Sequence, residues 1–172
     1  RSSDLVSCER VFQPQLNGKP VVVLSNNDGC IISRSNEAKA LGIPMGAPEF
    51  QFRDLLKQHD IHVFSSNYAL YGDLSHRVMK ILENYTPNVE VYSIDEAFLN
   101  FSGMTIPDFN VYGAEIQHRI LKWLSIPIGI GFAPTKALSK VANKIAKKFP
   151  ERTNGVYVID TEEKRIKALK WT

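Results

Sequence analysis

Hydrophobic positions along the chain switch between strand-like and helix-like spacing, and the switches mark the elements. Behind the turn-rich Gly18, Lys19 and Pro20, the continuous β-branched run VVVLS predicts a buried strand. Asn26 to Gly29 supply a turn, and Cys30 to Ser33 a second short strand. Ser35 is placed to cap a short helix that Gly42 ends and Pro44 stops. A helix over about Glu49 to Gln58 and a strand over Ile61 to Phe64 complete this first lobe, which ends near Asn67.

From Tyr68 the pattern changes. Leu70, Leu74, Val78, Leu82 and Tyr85 recur at near-helical spacing until Pro87, which predicts one long amphipathic helix. The runs VEVYSI and AFLNF, joined at Asp95 and Glu96, predict a tight hairpin. Asp108 heads a helix to about Leu124, Ile126 to Phe132 ends in strand-like residues, and a basic helix runs from Thr135 to Lys148. Asn154 and Gly155 turn the chain into the strand VYVI, and Asp160 with Glu163 reads as a capping box for a last helix. With one strand placed in front, this order becomes the βαββαβ of a ferredoxin-like sheet. That strand belongs before Ser7, where the sequence offers only RSSDLV, so it is expected to be missing or altered. The fold class is α+β, a ferredoxin-like domain carrying a small inserted α/β lobe.

Composition narrows the picture only a little. At 172 residues and 44% hydrophobic content, the chain supports one good core, or one domain with a smaller inserted lobe. Its 21 basic and 18 acidic residues give a net +3, compatible with nucleic acid without establishing it. Cys8 and Cys30 form no CxxC pair and suggest neither a disulfide framework nor a zinc cluster, so a reducing cytoplasm is expected. No apolar run approaches the roughly 20 residues that cross a bilayer, so no membrane partner is expected. Internal repeats are absent from the sequence.

Candidate chemistry concentrates in two places. Adjacent Asp95 and Glu96 can converge only at a turn, because neighbours on a regular strand point to opposite faces. Two convergent carboxylates suit a hard cation such as magnesium, although on spacing alone an ordinary polar turn is the simpler reading. The basic helix places Lys136, Lys140, Lys144, Lys147 and Lys148 along one side, with Leu138, Val141 and Ile145 on another. Such a stripe meets phosphates or faces water, and Lys39 carries the same ambiguity. His59, His62, His76 and His118 have no ligand spacing and receive no role. Tyr71, beside Leu70 and Leu74, is expected in the core rather than stacked on bases, and Tyr68 and Phe64 are not assigned to bases either. Cys8 and Cys30 read as small buried hydrophobes.

Taken in order, VVVLSNNDGC, SNEAKALGIPMG, FSSNY and YSIDEAF resemble the UmuC branch of the Y-family translesion DNA polymerases, whose member is the catalytic subunit of bacterial DNA polymerase V. The resemblance covers nearly all of the chain from Ser7 to about Asp160. It implies a fingers and palm fragment: residues 1–12 as leader and start of palm, 13–67 as fingers, 68–165 as palm, and 166–172 as the start of a link to a thumb. It further implies template-directed nucleotidyl transfer past damaged bases, within DNA repair and the SOS response. Two magnesium ions, for which manganese can substitute, would be held by palm carboxylates that Asp95 and Glu96 match. Asn36 and Lys39 fall where most of the family has a tyrosine and an arginine on the triphosphate, and Lys147 matches a palm lysine that contacts it. Replacing arginine by lysine exchanges a bidentate fork for a point charge. The implied partners are primer-template DNA, deoxynucleoside triphosphates, a UmuD-type subunit, RecA and the sliding clamp.

Departures from the pattern sit at the front. The family's third metal-binding aspartate lies nine residues before the glutamate that Glu9 matches, a position preceding Arg1. The aromatic residue that screens out ribonucleotides aligns with Leu5, and its aromatic neighbour with Asp4. Arg1 to Val6 therefore reads as a foreign or altered leader, and Asp4 is not taken as the missing ligand. The chain is expected to be inactive by itself. A non-catalytic palm-fold module that binds DNA or regulates is the alternative, and a nucleotidyl cyclase palm is a third reading that the lobe from Lys19 to Asn67 opposes.

Overall fold

The computed structural model describes residues 5–171. The chain divides into two compact units, one ending at Arg77 and the other beginning at Val78.

The first unit opens with helix α1 (Leu5–Phe12) and a 3-10 turn at Pro14–Leu16. Strands β1 (Val21–Leu24) and β2 (Ile31–Arg34) follow, then helices α2 (Asn36–Ala40) and α3 (Glu49–Gln58), strand β3 (His62–Phe64), and the start of helix α4 (Tyr68–Leu82). The three strands form one sheet in the order β2-β1-β3. β2 pairs antiparallel with β1, and β3 pairs parallel with it. As the central strand, β1 is buried on both faces, which explains why its sequence is an unbroken apolar run rather than an alternation. Val22, Leu24, Ile31, Ala38, Ile43, Ala47, Leu56 and Ile61 form its core.

Ser35 caps α2 by accepting from the Ala38 amide at 3.1 Å, as its position in the sequence predicts. The same hydroxyl oxygen accepts from the Val21 amide, so the cap also ties the helix to β1. Leu5 and Val6, read as part of a leader, begin α1, and Val6 and Cys8 are buried at 1% and 2% exposure. Apolar residues on one side of a short helix gain more from covering β1 and β2 than from facing water. Asp4 lies outside the described residues. Cys30 is half-buried rather than buried.

Beyond α4, the second unit contains β4 (Val89–Ser93), β5 (Glu96–Leu99), α5 (Phe109–Leu124), β6 (Ile130–Phe132), α6 (Lys136–Lys148), α7 (Pro150–Thr153), β7 (Val156–Val158) and α8 (Glu162–Trp171). The fold class is α+β, and the order α4, β4, β5, α5, β6 is that of βαββαβ without its first strand. The strands form two ladders rather than one sheet: β4 pairs antiparallel with β5, and β6 parallel with β7. A ferredoxin-like sheet places its first strand between the third and fourth, and no described residue supplies that strand.

Asp108 caps α5 by accepting from the amides of Asn110 and Val111, at 2.7 and 3.2 Å. Phe101, Phe109 and Tyr112 pack with Phe132, Val156 and Val158 beneath α5. At α8, the hydroxyl of Thr161 accepts from the Lys164 amide, while Asp160 pairs with the Lys164 ammonium at 2.7 Å. The expected capping box at Asp160 is therefore displaced by one residue, because Thr161 is the residue a helix turn away from that amide. Among the described residues no helix is long and apolar enough to cross a membrane.

Candidate functional site

The acidic hairpin is shaped by its tip. β4 ends at Ser93 and β5 begins at Glu96, which leaves Ile94 and Asp95 to make the turn. Its ladder slips between Val91 and Ser93, an irregularity that bends the strand toward the tip. The Ser93 hydroxyl donates to Asp95 Oδ1 at 2.6 Å, a local brace that holds the carboxylate before any ligand arrives. Asp95 and Glu96 both line one groove of about 950 Å³, together with Gly129, Gly131 and Asn143. The turn thus brings to one groove two neighbours that a regular strand would send to opposite faces.

Two lysines of helix α6 reach this hairpin. Lys136 Nζ donates to Glu90 Oε2 at 2.5 Å and sits 5.4 Å from the Phe98 ring centre. One turn later, Lys140 Nζ donates to Glu96 Oε2 at 3.2 Å and stands 4.3 Å over the Tyr92 ring. The two rings meet edge to face at 5.5 Å. Burial pushes the Glu96 carboxyl up, the hydrogen bond from Lys140 pulls it down, and the net direction is down. The stripe read as facing phosphates or water therefore spends its first two lysines on hairpin carboxylates.

Two glycines and two alanines permit this close approach. A Cβ at Gly131 would lie 2.3 Å from the Asn143 amide nitrogen and 2.4 Å from the Ser139 carbonyl oxygen, so no side chain fits between β6 and α6. Ala142 and Ala146, both at 0% exposure, give α6 a smooth inner face. At Gly129 the same construction meets Lys147 Cγ and Cε at 3.0 Å, which places the Lys147 stem across that glycine. Asn143 Oδ1, beside it, is buried with no hydrogen-bond partner among the described residues.

The remaining candidates belong to the first unit. Asn36 and Lys39 are exposed on α2, where Lys39 Nζ donates to Asn36 Oδ1 at 3.3 Å. The structure therefore groups the candidates as two sets: Asn36 with Lys39, and Asp95 and Glu96 beside the helix that carries Lys147.

Chemically, Asp95 and Glu96 offer hard oxygen donors of the kind magnesium prefers. Among the described residues no cluster of three histidine, cysteine, aspartate or glutamate side chains that could hold a metal ion is assembled. A cation, the Lys140 ammonium, is already accepted at Glu96, which shows that positive charge is stabilised there. The donor set fits magnesium.

Sequence reasoning passed over Ser93, Glu90 and Tyr92, and it treated Lys140 only as one of a stripe. The signal for Lys140 was present in its i, i+4 spacing from Lys136 opposite the alternating Glu90 and Tyr92. The partner strand was the missing information. Glu9, used in the sequence only as a match to a family glutamate, is a buried carboxylate that accepts from the Tyr71 hydroxyl at 2.7 Å, a pairing the sequence did not show.

Comparison with known proteins gives concordant results. Residues 3–144 match the impB/mucB/samB family. The chain is 48% identical to protein ImpB of Salmonella typhimurium over 172 residues, and 46% identical to protein UmuC of Salmonella typhimurium strain LT2 over 169 residues. Each alignment covers 98% of this chain and 40% of the relative, so the chain spans well under half the length of these relatives. Among solved structures, the insertion ternary complex of Dbh DNA polymerase superposes with a TM-score of 0.81 at 28% identity, covering 94% of this chain and 47% of that one.

Proposed function

From the premise that the chain belongs to the impB/mucB/samB family, we propose that it forms the fingers and palm of a translesion DNA polymerase. The proposed activity is template-directed transfer of deoxynucleotides to a primer end, past damaged bases. In this reading residues 13–67 are the fingers and 68–165 the palm. The observation that carries it is the acidic hairpin, which presents Asp95 and Glu96 to one groove beneath a lysine-bearing helix.

Asp95 and Glu96 would hold magnesium, or manganese in its place, and that metal would supply Lewis-acid activation of the primer hydroxyl and charge neutralisation of the triphosphate. The chain's own groups do the positioning. Ser93 fixes the Asp95 carboxylate, and the close seat of α6 on Gly131 sets the height of the lysines above the hairpin. Lys147, held along Gly129, and the α2 pair Asn36 and Lys39 bind triphosphate oxygens as point donors. Primer-template DNA and deoxynucleoside triphosphates are the substrates. A UmuD-type subunit, RecA and the sliding clamp are the proposed partners, in the cytoplasm.

Primer extension with magnesium and all four deoxynucleotides tests this reading in a version extended to the length of the relatives. Glu96→Gln should lower extension on the order of a hundredfold or more, the scale of removing one electrostatic stabiliser from a reacting centre. Extension unchanged by Glu96→Gln would favour the palm as a non-catalytic module.

A further inference from the structure

Glu96 is paired with a lysine that no catalytic reading requires. Of the two hairpin carboxylates, Asp95 is braced by a neutral hydroxyl, whereas Glu96 accepts from the Lys140 ammonium at 3.2 Å. Lys140 has a second partner. Its head rests 4.3 Å over the Tyr92 ring, itself locked edge to face against Phe98. Its helix is seated on Gly131 and capped at Thr135, whose hydroxyl accepts from the Leu138 amide. Lys136, one turn earlier, is committed to Glu90 and so does not compete for Glu96.

We propose that Lys140 is a built-in counter-cation of the acidic hairpin, a positioning residue that holds the Glu96 carboxylate in the groove without metal and that an entering divalent cation must displace. This rests on the reading of Asp95 and Glu96 as metal carboxylates. Among the described residues Asp95 accepts from a hydroxyl and Glu96 from an ammonium, which makes the two unequal. A divalent ion engages Asp95 first, and gains Glu96 only when the carboxylate exchanges Lys140 for metal. The exchange breaks one ion pair and forms another, and the released ammonium stays near the Tyr92 ring, where a cation is still stabilised. The lysine therefore weakens binding of a bare metal ion, because two positive charges share one carboxylate. In return, it keeps Glu96 ordered and its like-charged neighbour Asp95 tolerable when no metal is bound.

The test uses the 172-residue chain and manganese alone, followed by electron paramagnetic resonance titration, for wild type, Lys140→Met, Lys140→Arg and Glu96→Gln. Thermal unfolding by circular dichroism confirms that each variant is folded, and Lys140→Met keeps the apolar stem over Tyr92. Lys140→Met should bind manganese about three- to tenfold more tightly, and Lys140→Arg, which keeps the charge, should stay near wild type. Raising the salt concentration should shrink the difference between wild type and Lys140→Met. Manganese affinity that is equal or weaker in Lys140→Met, while Glu96→Gln weakens it, would overturn the counter-cation and leave the metal reading standing. Equal affinity in all four proteins would overturn both.

Discussion

The two units use their strands in opposite ways. In the first, β1 is central in a three-stranded sheet, and all four of its residues are buried. In the second, the β4–β5 hairpin is open: none of its strand residues is fully buried, and Val91 and Tyr92 are 59% exposed. Buried strands must be apolar, and β1 accordingly carries no charged residue. A half-exposed hairpin tolerates Glu90, Asp95 and Glu96, because each keeps water or a partner. The candidate chemistry is therefore found where the sheet is least closed.

This contrast can be broken by removing apolar volume from each side. Ile31→Ala, at a residue with 0% exposure, should cost about 2–5 kcal/mol in urea denaturation followed by circular dichroism. Val91→Ala should cost under about 0.5 kcal/mol. Comparable losses at both positions would show that the hairpin is as tightly packed as the sheet.

In the second unit the tight spot is the seam between β6 and α6. Gly131→Ala drives a methyl group into backbone 2.3 Å away, which neither partner can yield cheaply. A loss of about 1–3 kcal/mol, at the upper end of that range, is expected in urea denaturation. Trp123 lies in this unit, and its indole fluorescence reports the change there. Wild-type stability in Gly131→Ala would mean that the lysine helix is not held by this contact.

A smaller, pH-dependent effect sharpens the difference in the first unit. Tyr71 is 2% exposed; burial first, then its hydrogen bond to the Glu9 carboxylate, pushes its hydroxyl well above its ordinary pKa of 10.0. A raised folded-state pKa means that the native state keeps its proton where the unfolded chain releases it. The contribution of Tyr71 is complete below about pH 10 and is lost as pH rises beyond that. Tyr71→Phe should cost about 1–3 kcal/mol at pH 8, by leaving Glu9 without this bond, and the variant should lose less stability than wild type between pH 8 and 11. Parallel pH profiles would remove Tyr71 as the titrating group.

Much of this organisation was legible in the chain. β1 announces itself by an unbroken apolar run, α4 by its spacing, and α2 and α5 by Ser35 and Asp108. Asp95 and Glu96 were located by their place between two strand-like runs. Helix α1 (Leu5–Phe12) escaped because the sequence before Ser7 lacks the expected strand pattern and the helix's apolar side is revealed only by what it covers. Pairings between distant segments also escaped. The Lys140–Glu96 pair spans 44 residues and the Tyr71–Glu9 bond 62, separations at which side-chain type alone does not identify a partner. The parallel pairing of β6 with β7 was invisible for the same reason.

The central claim, that the open hairpin is a metal centre, is tested most directly by titrating manganese into the chain and into Asp95→Ala. Asp95 is braced by Ser93 and is not the carboxylate that Lys140 holds, so its loss removes a donor without releasing the lysine. The account predicts weak binding in the wild type and binding weaker by about tenfold or more in Asp95→Ala. Equal manganese affinity in the two proteins would contradict it.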